Sequence, residues 1–486
     1  MAETRYLDDD IVRIYEFEQP RTVMNLIATL FWGDSVKVLG LRSGQHMVEI
    51  SRRVWNSATN HYETQKRIGA LPAKARFREE ALLKVRILDV GQGDAAIVET
   101  PRGRLLLIDG GEEEHLRRYV NVAFSHILRT RPLHCDAMVV THGDADHFAG
   151  LTQLVEGFRS RTSPLVTADR VYHNGLVKSA ADRDVEAFGR TVTVDGVTYA
   201  IDLEDDLLQV PDARMNRPFR AWKKALQRLK GESGTLAIRR IQYGDHDAFD
   251  FLSDEGVAVQ VLGPITATIQ GQPGLPFLHK PGSRALSASH TINGHSIVLR
   301  LTYGNVRFLF GADLNEESEE RLLARARADG LSLAAEFLKV PHHGSADFSP
   351  SILDAIRPVV SVVSSGDEST LQEYIHPRAG LMGALGKYSR ATVQKPLVYA
   401  TEMVAFFERL GAITAKDITP SGREGKDLGR IQNAYRKLTF GMVHLRTDGQ
   451  RVLVATHSGK ADEKESYAFR VHEQGEVEFE AETRIL

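Results

Sequence analysis

The sequence has one cysteine, no long apolar run and almost no net charge. Cys135 is the single cysteine among 486 residues, which excludes an intramolecular disulfide and a cysteine-rich zinc site. No apolar run reaches the roughly 18 residues of a membrane span. The acidic start also lacks the apolar segment of a signal peptide. We therefore expect a cytoplasmic protein that makes no membrane contact.

The charge balance limits how the chain can bind nucleic acid. Lys and Arg number 61 and Asp and Glu number 64, for a formal charge of −3. Contact with a polyanion must therefore come from local basic patches. Hydrophobic residues make up 42% and charged residues 26%, which are ordinary values for a folded protein. The length predicts two to three domains.

The distribution of strand and helix patterns divides the chain into three parts. Short alternating segments with glycine turns predict a small β-rich domain over residues 1–80, of SH3-like type. Buried strands and helices predict an α/β domain over 81–410, with a basic insertion around 175–290. Two hairpins predict a β-rich C-terminal unit over 411–486. The terminal units contain no catalytic cluster, so they could bind a protein partner, position substrate or mediate dimerisation. The sequence leaves these alternatives and the oligomeric state open.

Candidate metal ligands follow three buried strands of the α/β domain. Imidazole and carboxylate groups bind borderline and hard divalent metals. Ligand sites cluster at strand ends in layered α/β folds, so the three sets together predict a divalent metal site. The candidates are His142, Asp144, Asp146 and His147 after the first strand, Asp313 after the second, and His342 and His343 after the third.

Six motifs between residues 84 and 380 resemble the metallo-β-lactamase superfamily. Within it, they are most similar to the hydrolase domain of ComEC-type competence proteins and their soluble stand-alone relatives. The resemblance implies a four-layer αβ/βα sandwich with one or two metals at one edge. The motifs are Leu88-Asp-Val-Gly-Gln-Gly-Asp-Ala95, Leu107-Ile-Asp-Gly-Gly111, Thr141-His-Gly-Asp-Ala-Asp-His147, the segment from Asn293 to Leu301, Phe310-Gly-Ala-Asp313, and Lys339-Val-Pro-His-His-Gly-Ser345.

The resemblance also implies a role for each ligand. His142 and Asp144 would hold a first metal, and Asp313 would bridge the two metals. The second metal would be held by Asp146, His147 and His343. The neighbouring His342 would lie outside the ligand set.

Three further residues take roles by the same resemblance. Asp109 resembles the aspartate that supports the ligand loop, and His376 resembles a later histidine that faces the substrate. Asn293 fills the place where the superfamily usually has a third-motif histidine. The commonest superfamily motif has histidine where Asp144 stands, and a carboxylate there makes Mn²⁺ competitive with Zn²⁺.

The reaction that these features predict is hydrolysis by a metal-activated water. Asp146, His376 and Asn293 are the candidate catalytic residues, and Asp146 or Asp144 would orient the water. A phosphodiester, most simply DNA, is the expected substrate because the ComEC-like resemblance implies a nuclease-type site and because a harder metal site suits phosphate oxygens.

A basic run over residues 214–240 starts with a helical pattern over 214–230, and it predicts either a surface for that substrate or a solvated amphipathic helix. As a surface, its cations would contact the phosphate backbone while Phe219 and Trp222 stack on bases. The candidate substrate-binding residues are Lys223, Lys224 and Arg228 in this run, with Lys339 and Ser345 near the metal motifs.

Two other readings fit the same residues. The near-zero charge is compatible with a metallo-hydrolase of a small substrate, such as a cyclic nucleotide, a lactone or a thioester. The missing third-motif histidine is compatible with a partner-binding module that has a vestigial metal site.

Overall fold

The computed structural model confirms the predicted fold class, a mixed α/β sandwich of four layers with β-rich regions at both ends. The residues that it describes are 3–16, 26–58, 61–160, 163–180, 184–366, 376–390, 396–402, 441–457, 464–480 and 483–485. Within these ranges no helix is long and apolar enough to cross a membrane. The cytoplasmic location stays a prediction.

The N-terminal region forms one seven-stranded antiparallel sheet in the order β3-β2-β6-β5-β4-β1-β7. Its strands are β1 (Glu3–Leu7), β2 (Ile11–Glu16), β3 (Leu26–Phe31), β4 (Ser35–Arg42), β5 (Gln45–Asn56), β6 (His61–Pro72) and β7 (Phe77–Arg78). Leu7, Ile14, Val48 and Leu71 are fully buried in a small core of its own. The domain boundary at residue 80 stays a prediction.

The next part of the chain builds the first sheet of the sandwich and the helices on its outer face. Strands β19, β16, β12, β10, β9 and β8 lie side by side in that order. Helices α1, α3 and α4 share with this sheet a core that contains Phe148, Leu151 and Trp222. The elements are β8 (Leu83–Ile87), β9 (Ala96–Glu99), β10 (Leu105–Ile108), α1 (His115–Ala123), α2 (Ser125–Leu128), β11 (Leu133–Cys135), β12 (Ala137–Val139), α3 (Ala145–Glu156), β13 (Phe158–Ser160), β14 (Ser163–Pro164), β15 (Val166–Ala168), β16 (Arg170–His173), β17 (Thr191–Val194), β18 (Val197–Ala200), α4 (Arg217–Ser233) and β19 (Ala237–Arg240).

The second sheet has six strands in the order β20-β25-β26-β27-β28-β29. Helices α6, α7 and α8 pack on its outer face around Leu322, Leu353 and Leu385. The inner faces of the two sheets meet in a core that includes Val139, Phe308 and Phe337. The elements are β20 (Val257–Gly263), β21 (Ala267–Ile269), β22 (Gln272–Pro276), β23 (Leu278–His279), β24 (Leu286–Ser287), α5 (Ala288–Gly294), β25 (Val298–Tyr303), β26 (Val306–Phe310), α6 (Glu316–Ala328), β27 (Phe337–Lys339), α7 (Pro350–Ile356), β28 (Val360–Val363), α8 (Ala379–Lys387) and β29 (Leu397–Ala400).

The C-terminal strands extend the first sheet instead of forming a sheet of their own. They are β30 (Met442–Thr447), β31 (Arg451–His457), β32 (Lys464–Val471), β33 (Val477–Phe479) and β34 (Thr483–Ile485). Strand β30 pairs antiparallel with β8, because its alternating apolar residues are buried against the central core, as Val443 and Leu445 show. The predicted boundary at residue 411 lies outside the described residues.

The N-terminal sheet rests on these last strands. Phe31 and Trp32 pack against Leu453 in a shared apolar cluster. Arg446 donates from Nη1 to the Trp32 carbonyl oxygen at 2.7 Å and pairs with Asp34 at 2.9 Å. The two ends of the chain therefore meet on one part of the sandwich.

Candidate metal centre

Three loops at the ends of buried strands bring the predicted ligands together. Strand β12 leads into the loop that carries His142 and Asp144, and α3 then begins at Ala145 with Asp144 as its N-terminal cap residue. Asp146 and His147 therefore lie in the first turn of a helix. A loop and the start of a helix thus share the four ligands of this motif.

The second sheet supplies the other two loops. Asp313 follows β26, and His343 follows β27 in a tight turn over Pro341–Gly344. His342 and His343 both have left-handed backbone conformations, with φ of 48° and 50°. Such conformations are uncommon and strained for residues other than glycine, and they concentrate at functional sites. Strands β26 and β27 are parallel, so their carboxyl ends place both loops at the same edge of the sheet.

We call this group of side chains the metal edge. It offers two positions for an ion, and both positions include Asp313. The first also includes His142 and Asp144, and the second also includes Asp146, His147 and His343. The second position is the tighter one: Asp313 Oδ2 lies 3.1 Å from His343 Nε2 and 3.3 Å from His147 Nε2. Asp146 Oδ2 lies 3.8 Å from His343 Nε2. The metal edge consists of His142, Asp144, Asp146, His147, Asp313 and His343.

The second position has buried nitrogen and oxygen atoms that can serve as ligands for a divalent ion. The Nε2 atoms of His147 and His343 and the Oδ1 atom of Asp313 are buried, and none has a hydrogen-bond partner among the described residues. Buried polar atoms are otherwise almost always satisfied. Two imidazole nitrogens and two carboxylates that converge in this way fit a divalent metal ion.

The first position has a different environment. His142 Nε2 lies 4.0 Å from both Asp144 Oδ2 and Asp313 Oδ2, and it also has no hydrogen-bond partner in the described ranges. Asp144, however, already has two donors. Lys178 Nζ lies 2.7 Å from its Oδ1 atom.

The second donor to Asp144 is the amide of Asn293. Neighbouring hydrogen bonds determine which way an amide points. The orientation that satisfies Asn293 places its nitrogen 2.9 Å from Asp144 Oδ2 and 3.2 Å from the Ser289 carbonyl oxygen. The opposite orientation would turn a donor to His342 Nε2 at 3.4 Å and leave the amide oxygen facing acceptors.

Outer partners orient the imidazole rings so that Nε2 faces the centre. Asp109 Oδ2 lies 2.8 Å from His147 Nδ1 and also accepts from the Thr141 hydroxyl at 2.6 Å. The Ser364 carbonyl oxygen lies 3.1 Å from His343 Nδ1. Such partners set the tautomer and raise the basicity of a metal-binding histidine. Asp109 thus lies behind the His147 ring, beside the ligand loop.

Asp94 and Lys339 form a buried pair beneath the second position. Lys339 is 4% exposed and donates to Asp94 Oδ2, while Asp94 Oδ1 lies 3.2 Å from His343 Nδ1. The predicted contact of Lys339 with substrate phosphate is therefore wrong, because the ammonium group is buried and used within the chain. Burial opposes charge on Asp94, but Lys339 and His343 lower the pKa of its carboxyl group.

The charge distribution makes the second position a place for a cation. Burial opposes charge on His343, but Asp313 and Asp94 raise its pKa to about 10. Burial likewise opposes charge on His147, whose pKa Asp313 and Asp109 raise well above the ordinary value. At His142, burial and the neighbouring His147 instead lower the pKa well below its ordinary value. The carboxylates therefore concentrate their field on the second position.

The other predicted residues near the centre lie at its rim. The His376 ring centroid is 6.2 Å from that of His342, and burial together with His343 and His342 lowers the His376 pKa to about 4. Ser345 is partly exposed and its Oγ atom accepts from the Asp347 amide at 3.2 Å. Their contact with substrate stays a prediction.

Residues 217–233 of the basic run form α4, and the apolar face of this helix packs on α3. Phe219 and Trp222 are 3% and 1% exposed and lie against Phe148. The predicted stacking of these two rings on bases is therefore wrong, because they fill the core between the helices. Helical periodicity alone predicts an apolar face but not what the face is packed against.

Two of the three predicted phosphate contacts on α4 are engaged within the chain. Lys223 donates to the Val210 carbonyl oxygen at 2.7 Å and to Asp212 at 2.8 Å. Arg228 donates to the Glu156 carbonyl oxygen at 2.9 Å and to Glu232 at 2.8 Å. Lys224 is exposed. Substrate binding by these residues stays a prediction.

Sequence reasoning missed Lys178 and assigned no role to Asp94. Lys178 lies five residues beyond β16, and β16 is the parallel neighbour of β12. The signal available was a lysine near the carboxyl end of an adjacent strand. Asp94 lies in the Leu88–Ala95 motif, where its glycine neighbours are typical of a turn.

One comparison with known proteins supports the fold. The family model of the metallo-beta-lactamase superfamily matches residues 88–366, which is more than half of the chain. No curated protein matches the chain. One similar solved structure is a mutant of the CmlA beta-hydroxylase, with 13% sequence identity and a TM-score of 0.29. The match covers 67% of this chain and 53% of that one, so the chain spans about half the length of that protein.

Proposed function

The chain belongs to the metallo-beta-lactamase superfamily, and from that premise we propose that it is a metal-dependent phosphodiesterase that cleaves DNA. The observation that carries the proposal is the donor set of the metal edge. Three carboxylates and three imidazoles converge there, and several of their donor atoms are buried without partners in the described part of the chain. The abundance of carboxylate oxygens suits hard ions and phosphate chemistry.

The residues around the second position would hold the ion, orient the attacking water and fix the imidazole rings. Asp146, His147, His343 and Asp313 would hold the ion, which supplies a Lewis acid and an activated water when bound. The Asp146 carboxylate faces the centre and can accept a proton or orient the attacking water. Asp109 and the Ser364 carbonyl hold the two imidazole rings in place.

A cavity of about 320 Å³ lies between the loop 279–284 and the start of α6, and His290 and Asp347 form part of its wall. Its charged lining is mixed, because Lys280 and Arg284 face it together with the carboxylates of Glu316, Glu317 and Asp347. The cavity alone therefore does not select for an anion, and the preference for a phosphodiester rests on the metal edge.

The same proposal includes two further points. The chain would be related to the stand-alone ComEC-like hydrolases, and its metal would be Zn²⁺ or Mn²⁺. A DNA substrate would pass along the rim at Ser345 and His376. Because the lowered pKa of His376 keeps its imidazole neutral near pH 7, that ring can donate or accept a hydrogen bond without adding charge. Protein partners of the two terminal regions stay a prediction.

A specific observation favours a second candidate, the hydrolysis of a small substrate. Lys223 and Arg228 on α4 are engaged with Asp212 and Glu232, which reduces the cationic surface available to a polymer. A small phosphodiester or another ester would need only the centre and its cavity.

The experiment that tests the proposal is a cleavage assay on single- and double-stranded DNA with EDTA, Mg²⁺, Mn²⁺ or Zn²⁺. The Asp146→Ala variant is the control for a contaminating nuclease. Cleavage that requires both added metal and Asp146 supports the proposal. If no metal supports DNA cleavage while a cyclic nucleotide, a lactone or a thioester is hydrolysed, the second candidate replaces it.

A further inference from the structure

The two positions of the metal edge differ in what their carboxylates face. At the second position, Asp313 Oδ2 faces His343 Nε2 at 3.1 Å and His147 Nε2 at 3.3 Å, and these buried nitrogens have no hydrogen-bond partner among the described residues. At the first position, Asp144 receives donors on both oxygens, from Lys178 at 2.7 Å and from Asn293 at 2.9 Å. An ion at the first position would have to compete with an ammonium group and an amide N–H for the same carboxylate.

Lys178 is held where it is by the main chain around it. The Lys178 carbonyl oxygen accepts from the Asn216 amide at 2.8 Å, and Asn216 is the N-terminal cap residue of α4. Leu176 and Val177, which precede it, are buried. Its side chain is 17% exposed. The Lys178 ammonium group is therefore a mostly buried part of the centre, and it is not carried by an exposed surface side chain.

The Lys178 ammonium group also disfavours a cation at the first position by direct repulsion. Its Nζ atom lies 2.7 Å from Asp144 Oδ1, so an ion that binds this carboxylate would lie close to a positive charge. Like charges brought together in a buried site are costly.

We propose that Lys178 takes the electrostatic place of the first metal, so that the centre binds one divalent ion, at the second position. The inference rests on the proposed function only in that the centre is a metal site. It adds that His142 and Asp144 do not bind an ion in the native chain, and that Lys178 is a positioning residue that holds Asp144 at the rim of the site.

The test is a count of bound ions, which does not depend on catalysis. The full chain is stripped with chelator, loaded with Mn²⁺, freed of excess metal, and measured by elemental analysis and native mass spectrometry. We expect one ion per wild-type chain and two per Lys178→Met chain, because methionine has a similar length but no charge. In electron paramagnetic resonance, the wild type should show isolated Mn²⁺ and the variant a spin-coupled pair.

Two control variants sharpen the count. Lys178→Arg retains a cation and should keep one ion, and Lys280→Met removes a cation from the neighbouring cavity and should also keep one. If Lys178→Met does not fold, judged by circular dichroism, Lys178→Gln takes its place. Zero or two ions in the wild type would overturn the proposal, as would a single ion in the folded neutral variant.

Failure of this inference can be told apart from failure of the proposed function. One ion per chain without any DNA cleavage would contradict the nuclease and leave the assignment of Lys178 standing. Two ions per wild-type chain together with DNA cleavage would contradict Lys178 and leave the nuclease standing.

Discussion

The metal edge and helix α4 are both rich in charged side chains, yet those side chains are used differently. At the edge, His142, His147 and His343 keep buried Nε2 atoms without hydrogen-bond partners in the described ranges. On α4, Lys223 and Arg228 are each paired with a carboxylate and with a carbonyl oxygen. Both regions stand out equally in the sequence as clusters of one chemical type.

The difference teaches that a charged cluster indicates function only when its own fold leaves it unsatisfied. An unpaired buried polar atom costs about 1–3 kcal/mol, so a fold retains several of them together where a ligand compensates the cost. Paired cations on a helix carry no such cost and need no ligand. The predictions that follow test this contrast from its strongest consequence to its weakest.

The largest effect is expected from His147→Ala, because this side chain offers a buried Nε2 atom to the centre and holds Asp109 with Nδ1. Turnover should fall to background and the second position should lose its ion. The loss should exceed the roughly 10- to 100-fold that removal of an outer partner costs. Hydrolysis by the purified variant and its metal content are the measurements.

The matched control for that variant is His134→Ala, which removes a partly exposed imidazole outside the metal edge. It should keep both activity and metal. Full turnover in a folded His147→Ala protein would show that the unsatisfied atoms of the edge do not mark a catalytic centre.

A smaller effect is expected from Asp109→Asn, which leaves every ligand in place. The substitution removes the charge that faces His147 Nδ1 at 2.8 Å while keeping the shape of the side chain. Metal affinity should fall about 10- to 100-fold, and titration with a competing chelator measures it.

Asp136→Asn provides the comparison for this change. Asp136 precedes β12 and accepts from the Leu105 amide at 2.8 Å, so it is tied to the same sheet but lies at the other end of the strand. Its substitution should leave metal affinity unchanged. Equal losses in both variants would mean that Asp109 acts through general stability.

Glu319 on α6 shows what burial does to a carboxylate that lies outside the metal edge and faces no cation. Burial raises its pKa to about 8, and although it accepts from the Ser349 amide, its nearby carboxylates add to the shift. In Asp313, burial also opposes charge, but His343 and His147 lower the pKa well below the ordinary value. The two buried carboxylates differ because only one of them faces cations.

The consequence for stability has a definite sign. Between its unfolded pKa near 4.5 and its folded pKa of about 8, Glu319 holds more protons in the folded state, so stability falls as pH rises through this window. Glu319→Gln removes that loss. We expect the variant to gain on the order of a few kcal/mol relative to wild type between pH 5 and pH 9, measured by urea unfolding. A constant difference at the two pH values would contradict the assignment.

The sequence signals that predict the metal edge are local. A run of buried residues predicts a strand, and a polar residue just beyond it is then placed at the sheet edge, as with Asp313 and His343. Lys178 could not be predicted in this way, because its meaning depends on β16 lying parallel to β12. That pairing is a long-range contact without a local pattern.

Helix α4 was predicted for the same local reason and misread for the same long-range one. Its 3.6-residue periodicity identified the apolar face but not α3 as the partner of Phe219 and Trp222. Nor could the spacing show that Asp212 and the Glu156 carbonyl would take up Lys223 and Arg228. A sequence shows which residues are charged, but only the fold shows which groups those charges pair with.

The smallest effect is expected on α4, from substitutions that leave the metal edge intact. Lys224 is the exposed member of the three predicted phosphate contacts. In an Asp146→Ala background, which prevents cleavage, Lys224→Gln should reduce the salt slope of DNA binding by at most about 1. The variant that also neutralises Lys223 and Arg228 should add little, because their charges are spent on Asp212 and Glu232. Fluorescence anisotropy with labelled DNA over a range of NaCl concentrations measures each slope. A decrease near three in the triple variant would mean that these pairs open onto the phosphate backbone, and the contrast between edge and helix would then fail at the helix.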